Sequence, residues 1–236
     1  MSVLSVICIR PDVFVGGTLI PMDRWTVVMS TAEGTKKLMT PFMIGFLGPL
    51  VALVCIVIAI FISPWFSWFD NALSDLGNYS NGIAAAIVFN AGLVVTAVLM
   101  LYFAVTLLRT LKDWPTRIAL IILVVSLGFL ASIGVFSENF GSLHFYVSVG
   151  FFLTFPFAMW ITAISWLRFR KLWWFCLISL LLPFVSLYMW TSYFGGTSPW
   201  DGVAIPEIVT SVTAIGWIWV INLLQNWGLL KHLAEH

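Results

Sequence analysis

Acidic and histidine side chains stand at the ends of long apolar segments, where they could carry out acid-base chemistry. Glu138 closes one apolar run and His144 opens the next, so a tight helical hairpin would bring the imidazole within reach of the carboxylate. Asp75 lies in the turn before another apolar run. We therefore predict a catalytic centre in which His144 pairs with a carboxylate and Asp75 orients it or helps to hold a metal. Its residues are Asp75, Glu138 and His144, with Ser74, Ser148, Asp201 and Glu207 in support.

Each of these residues also has a plainer interpretation. Ser, Asp, Asn and Gly are the usual turn residues, so Asp75 can simply cap a turn. Glu207 is favoured by the helix dipole at the start of a helix, and His144 can be a hydrogen-bonded histidine at headgroup depth. The sequence lacks a His-Glu-x-x-His or similar spacing, so it identifies neither a metal nor a cofactor.

Membrane-spanning helices are the elements that must position these residues. The 236-residue chain is 61% hydrophobic and only 9% charged, with a mean hydropathy of +1.04, which is more apolar surface than a soluble domain could bury. Its charge-free runs are long enough to cross a bilayer and lack the alternation of barrel strands. We predict an all-α integral membrane protein, a six-transmembrane-helix bundle. The spans lie near residues 42–63, 83–108, 118–136, 143–166, 172–194 and 205–228.

Charge is distributed unequally between the two ends of this bundle. With six spans, all eleven Lys and Arg residues fall on one side, which predicts that both termini are cytoplasmic. The opposite connections carry no Lys or Arg and five carboxylates: Asp70, Asp75, Glu138, Asp201 and Glu207. Neighbouring carboxylates raise one another's pKa unless a proton, a metal or another cation joins them. This outer face therefore suits proton chemistry, a cation or a basic partner.

The chain divides into three parts on the same reasoning. Residues 1–40 are predicted to form a peripheral or disordered tail, with an alternative start at Met29, followed by the transmembrane domain at 41–230 and a short tail at 231–236. A net charge of +1, without a basic stretch interleaved with aromatics, argues against a nucleic-acid partner. Within the spans, the small pairs Gly92 with Thr96 and Gly128 with Ser132 predict close helix approach.

Several short motifs resemble a known family. They are Ala72-Leu73-Ser74-Asp75-Leu76-Gly77 before a span opening toward Phe89-Asn90-Ala91-Gly92, then Gly134-Val135-Phe136 with His144 opening the next span. Over roughly residues 42–228 the chain resembles the prokaryotic domain-of-unknown-function family 998, which is similar in turn to the Frag/DRAM/Sfk-like membrane proteins. The resemblance implies a six-helix bundle. It implies membrane-lipid biology more loosely, because the eukaryotic relatives are linked to lipid-anchor remodelling and autophagy.

Two hypotheses about function follow. The first is a lipid-handling protein of the cell membrane, such as a lipid-modifying hydrolase or transferase, with its polar site at the outer leaflet and membrane lipids as partners. The second is a non-enzymatic scaffold, sensor or assembly subunit whose acidic outer face binds a cation or a basic partner. A channel or carrier is disfavoured because no span has a formal charge near its middle. Convergence of the carboxylates and His144 around a pocket would favour the first hypothesis.

Overall fold

Six long α-helices make up the fold. The computed structural model describes the backbone of residues 23–234 and the side chains from residue 41 onward. The helices are α1 (Asp23–Phe61), α2 (Ile83–Thr110), α3 (Trp114–Val135), α4 (Ser142–Trp166), α5 (Trp173–Phe194) and α6 (Ala204–Asn226). Each is long and apolar enough to cross a membrane, with Pro41–Phe61 as the spanning part of α1. The prediction of an all-α, six-span membrane protein is confirmed, and no strand occurs among residues 23–234.

The described residues do not test the predictions about the two ends of the chain. The predicted tail over residues 1–40 falls mainly on residues outside the described ranges, and it stays a prediction together with the alternative start at Met29. The cytoplasmic location of both termini also stays a prediction. Residues from Pro41 onward form one compact unit, and the description that follows concerns that unit alone.

The ends of the membrane-spanning segments, with Pro41–Phe61 taken for α1, lie close to the predicted spans with one exception. Helix α3 begins at Trp114, four residues before the predicted start, because Asp113 provides an N-cap whose carboxylate accepts a hydrogen bond from the Thr116 amide at 3.0 Å. Pro115 in the first turn costs nothing, since amides there have no partner within the helix. The charged residue Arg117 therefore lies inside the helix.

Close approach of two helices occurs at only one of the predicted small-residue pairs. A Cβ atom added to Gly92 would lie 2.4 Å from the Cβ of Cys55, so α1 and α2 touch there and only glycine fits. Thr96 lies one turn further along and donates to the Gly48 carbonyl of α1 at 3.2 Å. The prediction for Gly128 and Ser132 is wrong. No atom lies within 4 Å of a Cβ built on Gly128, and the Ser132 hydroxyl donates to its own helix.

One end of the bundle is held together by a polar network, and we call it the basic end because Arg109, Lys112, Arg117, Arg168, Arg170, Lys171 and Lys231 lie there. Asp113 forms a salt bridge with Arg168 and accepts from the Thr116 hydroxyl at 2.5 Å. The Trp166 indole donates in turn to that hydroxyl at 2.8 Å. Burial raises the pKa of Asp113, but the hydrogen bonds from Thr116 and the Arg168 charge together hold it below its ordinary value.

Replacing this cap tests its contribution. Asp113→Ala should lower the free energy of unfolding by about 1–2 kcal/mol, mainly through loss of the N-cap. Arg168 adds little because its side chain is 44% exposed. Since the folded pKa of Asp113 is depressed, its contribution should be present at neutral pH and disappear as the pH falls below about 4.

Thermal unfolding of the purified protein in detergent measures this effect. Asp201→Ala is the matched control, because Asp201 is exposed and its removal should change stability by less than about 0.5 kcal/mol. Equal melting temperatures for the two variants would contradict a stabilising role for Asp113.

Candidate functional site

A cavity of about 830 Å³ lies between α4 and α5 and reaches the end of the bundle opposite the basic end. We call this the acidic end, because it carries Asp70, Asp75, Glu138, Asp201 and Glu207 and, among the described residues, no Lys or Arg. The polar side chains of the lining gather there: Ser74, Asn78, Glu138, His144, Ser148 and Glu207. The rest of the lining is almost entirely apolar. The volume falls within the range of small-molecule sites.

The apolar part of the cavity is long and opens sideways. Its lining runs along α4 from Phe145 to Trp160, which is about 22 Å at the helical rise per residue. Lining side chains such as Leu153, Phe157 and Leu187 remain about half-exposed, and exposure within a span is exposure to lipid. The apolar part of the cavity, which we call the apolar channel, is therefore longer than the roughly 15 Å depth of one leaflet of a hydrocarbon core.

Two prolines line this channel. Pro156 lies within α4 and Pro183 within α5, and a proline cannot donate the backbone hydrogen bond that the carbonyl four residues earlier needs. The Trp160 indole donates to the Leu180 carbonyl, next to the break at Pro183, at 3.1 Å. The carbonyl that Pro183 leaves without a helical partner is that of Ser179, so the Trp160 bond adds a contact between α4 and α5 beside the break and does not replace the lost hydrogen bond.

A short 3₁₀ turn, Leu73–Gly77, brings the carboxylates of three elements together. Glu207, in the first turn of α6, accepts a hydrogen bond from the Leu73 amide at 2.6 Å. Asp75 accepts from the Ala72 amide at 2.8 Å, so it caps its own turn. The turn is fixed from below by Asn90, whose amide nitrogen donates to the Gly77 carbonyl at 2.9 Å. Glu207 therefore ties α6 to the turn instead of capping its own helix.

Glu138 and Asp75 form a pair of interacting carboxyl groups. Burial, followed by the charge and the hydrogen-bonding proximity of Asp75, raises the pKa of Glu138 to about 7, while the nearby Asn78 amide lowers it. The Oε2 atom of Glu138 is buried, and no donor reaches it among the described residues. An unpaired oxygen beside a second carboxylate is the natural position for a shared proton. Glu138 can therefore act as a proton donor near neutral pH.

His144 is oriented by the backbone of the preceding hairpin. Its Nδ1 atom lies 2.7 Å from the Phe136 carbonyl, and because a carbonyl can only accept, Nδ1 carries the hydrogen in this bond. The side chain is 8% exposed and lines the cavity. In the described part of the chain no group is hydrogen-bonded to Nε2. The neutral ring therefore presents a free lone pair at Nε2, which is what a general base requires.

The structure brings most of the predicted site residues to one place. Glu138, His144, Ser74, Ser148 and Glu207 all line the cavity. Asp75 stands behind Glu138 and is not part of the lining, and no hydrogen bond joins it to His144 within the described residues. The remaining predicted residue, Asp201, is exposed and lies outside the cavity. Residues 41–234 contain no group of three or more His, Cys, Asp or Glu side chains placed to hold a metal ion.

Sequence reasoning missed several residues of the site. Asn139 accepts from the Tyr79 amide and donates to Asn78 Oδ1, both at 2.8 Å, which joins the hairpin after α3 to the loop before α2. Trp190 and Tyr193 line the cavity, although their positions near a helix end indicated only an interfacial belt. The prolines at 156 and 183 were the one available signal of a gap between α4 and α5.

Comparison with known proteins identifies the family. A match to the family described as "Protein of unknown function (DUF998)" covers residues 46–224, which is most of the chain. The chain belongs to the DUF998 family. No curated protein and no solved structure is detectably similar to it. The matched range includes the turn, His144, Glu207 and both helices of the cavity, so the candidate site of this DUF998 protein lies within the family region. No match supports the more distant resemblance to the Frag/DRAM/Sfk-like proteins.

The raised pKa of Glu138 makes a prediction about stability. Ionisation of Glu138 opposes folding, so its cost is absent below pH 4.5 and complete above about pH 7. Glu138→Gln should therefore stabilise the protein relative to wild type by roughly 1–3 kcal/mol at pH 8, with little difference at pH 5. Thermal unfolding in detergent at both pH values measures this. Asp201→Asn, an exposed carboxylate at the same end, should show no such change, and a pH-independent effect of Glu138→Gln would refute the assignment.

Proposed function

We propose that this protein binds a membrane lipid in the cell membrane and carries out acid-base chemistry on the lipid's headgroup. The chain of the lipid occupies the apolar channel between α4 and α5. The headgroup lies at the acidic end, which faces the outside of the cell. In this arrangement His144 is the general base and Glu138 the general acid, as in a hydrolase or a transferase.

The shape of the cavity is the single observation that carries the proposal. Its charged and ionisable side chains and most of its other polar groups lie at one end, with Ser186 of α5 further along, and about 22 Å of mainly apolar lining extends from that end along α4. A water-soluble metabolite has polar groups that could not form hydrogen bonds along most of that apolar lining, so it would not fill the cavity. The lateral opening between α4 and α5 gives a lipid a route from the bilayer that does not pass through water.

The proposed roles of the two catalytic residues follow from their protonation. His144 holds a hydrogen at Nδ1 and can take a proton at Nε2 from water or from a headgroup hydroxyl. Glu138, with a pKa near 7, can give its proton to the oxygen of the leaving group. Asp75 is a positioning residue in this scheme, because it acts on Glu138 and does not line the cavity.

Blocking the channel tests lipid binding. Val149→Trp places an indole in the lining, and it should reduce the lipid that co-purifies with the protein at least five-fold. Val125→Trp, on an exposed position of α3 outside the cavity, is the matched control and should retain wild-type lipid. The measurement is lipid extraction from monodisperse, equally stable protein, followed by mass spectrometry. Equal amounts of lipid in the two variants would refute the proposed binding site.

A conservative variant separates binding from turnover. In His144→Asn the amide can replace the Nδ1 donor to Phe136, but the base is lost. We expect normal lipid binding and a loss of turnover of about 10²-fold or more. Turnover is measured as new lipid species formed when the protein is reconstituted with a total membrane lipid extract. If wild-type protein yields no product over protein-free vesicles, the catalytic part of the proposal is wrong.

A lipid sensor that binds without turnover is the second candidate. One observation favours it: within residues 41–234, no side-chain hydroxyl is hydrogen-bonded to His144, so no side-chain nucleophile is already placed beside the base. The two experiments distinguish these candidates, because a sensor would lose lipid in Val149→Trp and give no product in any variant.

A further inference from the structure

The acidic end of the cavity combines carboxylates with aromatic rings. Glu138 and Glu207 line it, and Asp75 lies next to Glu138. Trp190, Tyr193 and Phe194 in the last turns of α5 line the same cavity. Trp190 lies close to the start of α6, since its indole is 3.3 Å from the Thr210 hydroxyl, one turn beyond Glu207. Carboxylates and aromatic faces share one preference, which is for a positive charge.

We propose that the lipid bound in this cavity carries a positively charged amine, a primary or quaternary ammonium, in its headgroup. This inference rests on the proposed lipid-binding function and identifies the class of lipid. The amine lies among Glu138, Glu207 and the aromatic rings of α5. The chain lies in the apolar channel.

Buried groups that lack a partner indicate that a ligand belongs at this position. The Oε2 atom of Glu138 is buried without a donor, and it is the one such buried, unpaired side-chain atom in the described residues that belongs to the cavity lining. His144 is more than nine-tenths buried, with Nε2 unbonded among these residues. A headgroup with N–H donors, or one with a hydroxyl near the charge, satisfies both atoms.

The alternatives are less well matched to the site. A lipid phosphate without a compensating amine would face two lining carboxylates and no Lys or Arg at this end of the described chain, so repulsion opposes it. A metal ion is disfavoured because no three ligating side chains converge there. An organic cation needs no such coordination shell, and aromatic rings are suited to an ammonium group.

Binding of the cation is coupled to the proton on Glu138. Around this group stand Asp75 on the 3₁₀ turn, Glu207 on α6 and His144 on α4. A cation favours the ionised form of Glu138, so affinity should fall as the pH drops through about 7. The alkylammonium itself stays charged, since amines titrate near pH 10.

Three amphiphiles of equal chain length test the inference: dodecylammonium, dodecanol and dodecyl phosphate. Binding to the full-length protein is measured at pH 8 in nanodiscs of phosphatidylglycerol, a lipid without an amine that could itself occupy the site, with empty nanodiscs subtracted. Wild type should bind the ammonium at least ten-fold more tightly than the alcohol, and the phosphate most weakly. The preference should persist at high salt, because charges in a partly buried site are poorly screened.

Variants locate the source of the preference. Glu138→Gln and Glu207→Gln should each reduce the ratio of ammonium to alcohol affinity about five-fold or more, and Glu138→Gln should weaken its pH dependence near neutrality. Asp201→Asn, outside the cavity, should change the ratio less than two-fold. Preservation of alcohol binding in the Gln variants checks that the cavity is intact.

The outcomes separate the two proposals. Equal binding of all three amphiphiles, abolished by Val149→Trp, would overturn the cationic headgroup and leave lipid binding standing. A preference that is unaffected by both Gln variants would assign the attraction to the general surface and would also overturn it. Absence of binding above empty nanodiscs for every amphiphile would reject the lipid-binding function itself.

Discussion

Polar groups within a bilayer have no water to bond with, and this constraint governs the whole bundle. Several of its buried polar side chains meet partners on neighbouring elements: Asn222 of α6 donates to the Phe42 carbonyl of α1 at 2.9 Å, and Trp217 donates to the Ser179 hydroxyl of α5 at 2.8 Å. These bonds join α6 to α1 and to α5. They matter because apolar contact between helices is scarcely more favourable than apolar contact between a helix and lipid. Where such pairing is the rule, a cavity-lining carboxyl oxygen without a donor is conspicuous.

The two ends of the bundle solve the problem of a buried carboxylate in different ways. At the basic end, Asp113 has a cation in Arg168 and two hydrogen bonds from Thr116. At the acidic end, the described residues offer no cation, and backbone amides are the donors to Glu207 and Asp75. Glu138 has no counter-charge among these residues, and burial together with the neighbouring Asp75 carboxylate raises its pKa to about 7. The first arrangement stabilises the fold, whereas the second leaves a buried carboxyl group without a counter-charge, which makes the acidic end the better candidate for a functional site.

The sequence predicted the features that the lipid solvent determines better than the features that helix packing determines. The spans were predictable because lipid excludes charge, and only the start of α3 was missed, where the Asp113 cap admits Arg117 into the helix. Glu138 and His144 were predictable as residues of one cavity because one short hairpin separates them, but no ion pair or hydrogen bond joins them within the described residues. The bond between Glu207 and the Leu73 amide joins residues 134 positions apart, and no local pattern encodes it. The cavity depends on how α4 and α5 pack, which the prolines indicated only in part.

If the cavity binds a lipid as we propose, the difference between its acidic end and its apolar channel would also decide which lipid it selects. Every membrane lipid has chains that fit an apolar channel, so the channel provides affinity and very little selectivity. Selectivity must come from the polar end, where the lining carboxylates repel an anionic headgroup and the aromatic rings of α5 attract an ammonium. Charge repulsion in a low-dielectric site acts against the wrong ligand more strongly than any added contact favours the right one. A protein surrounded by anionic lipids at high concentration would need that kind of exclusion to select a lipid whose headgroup carries an amine.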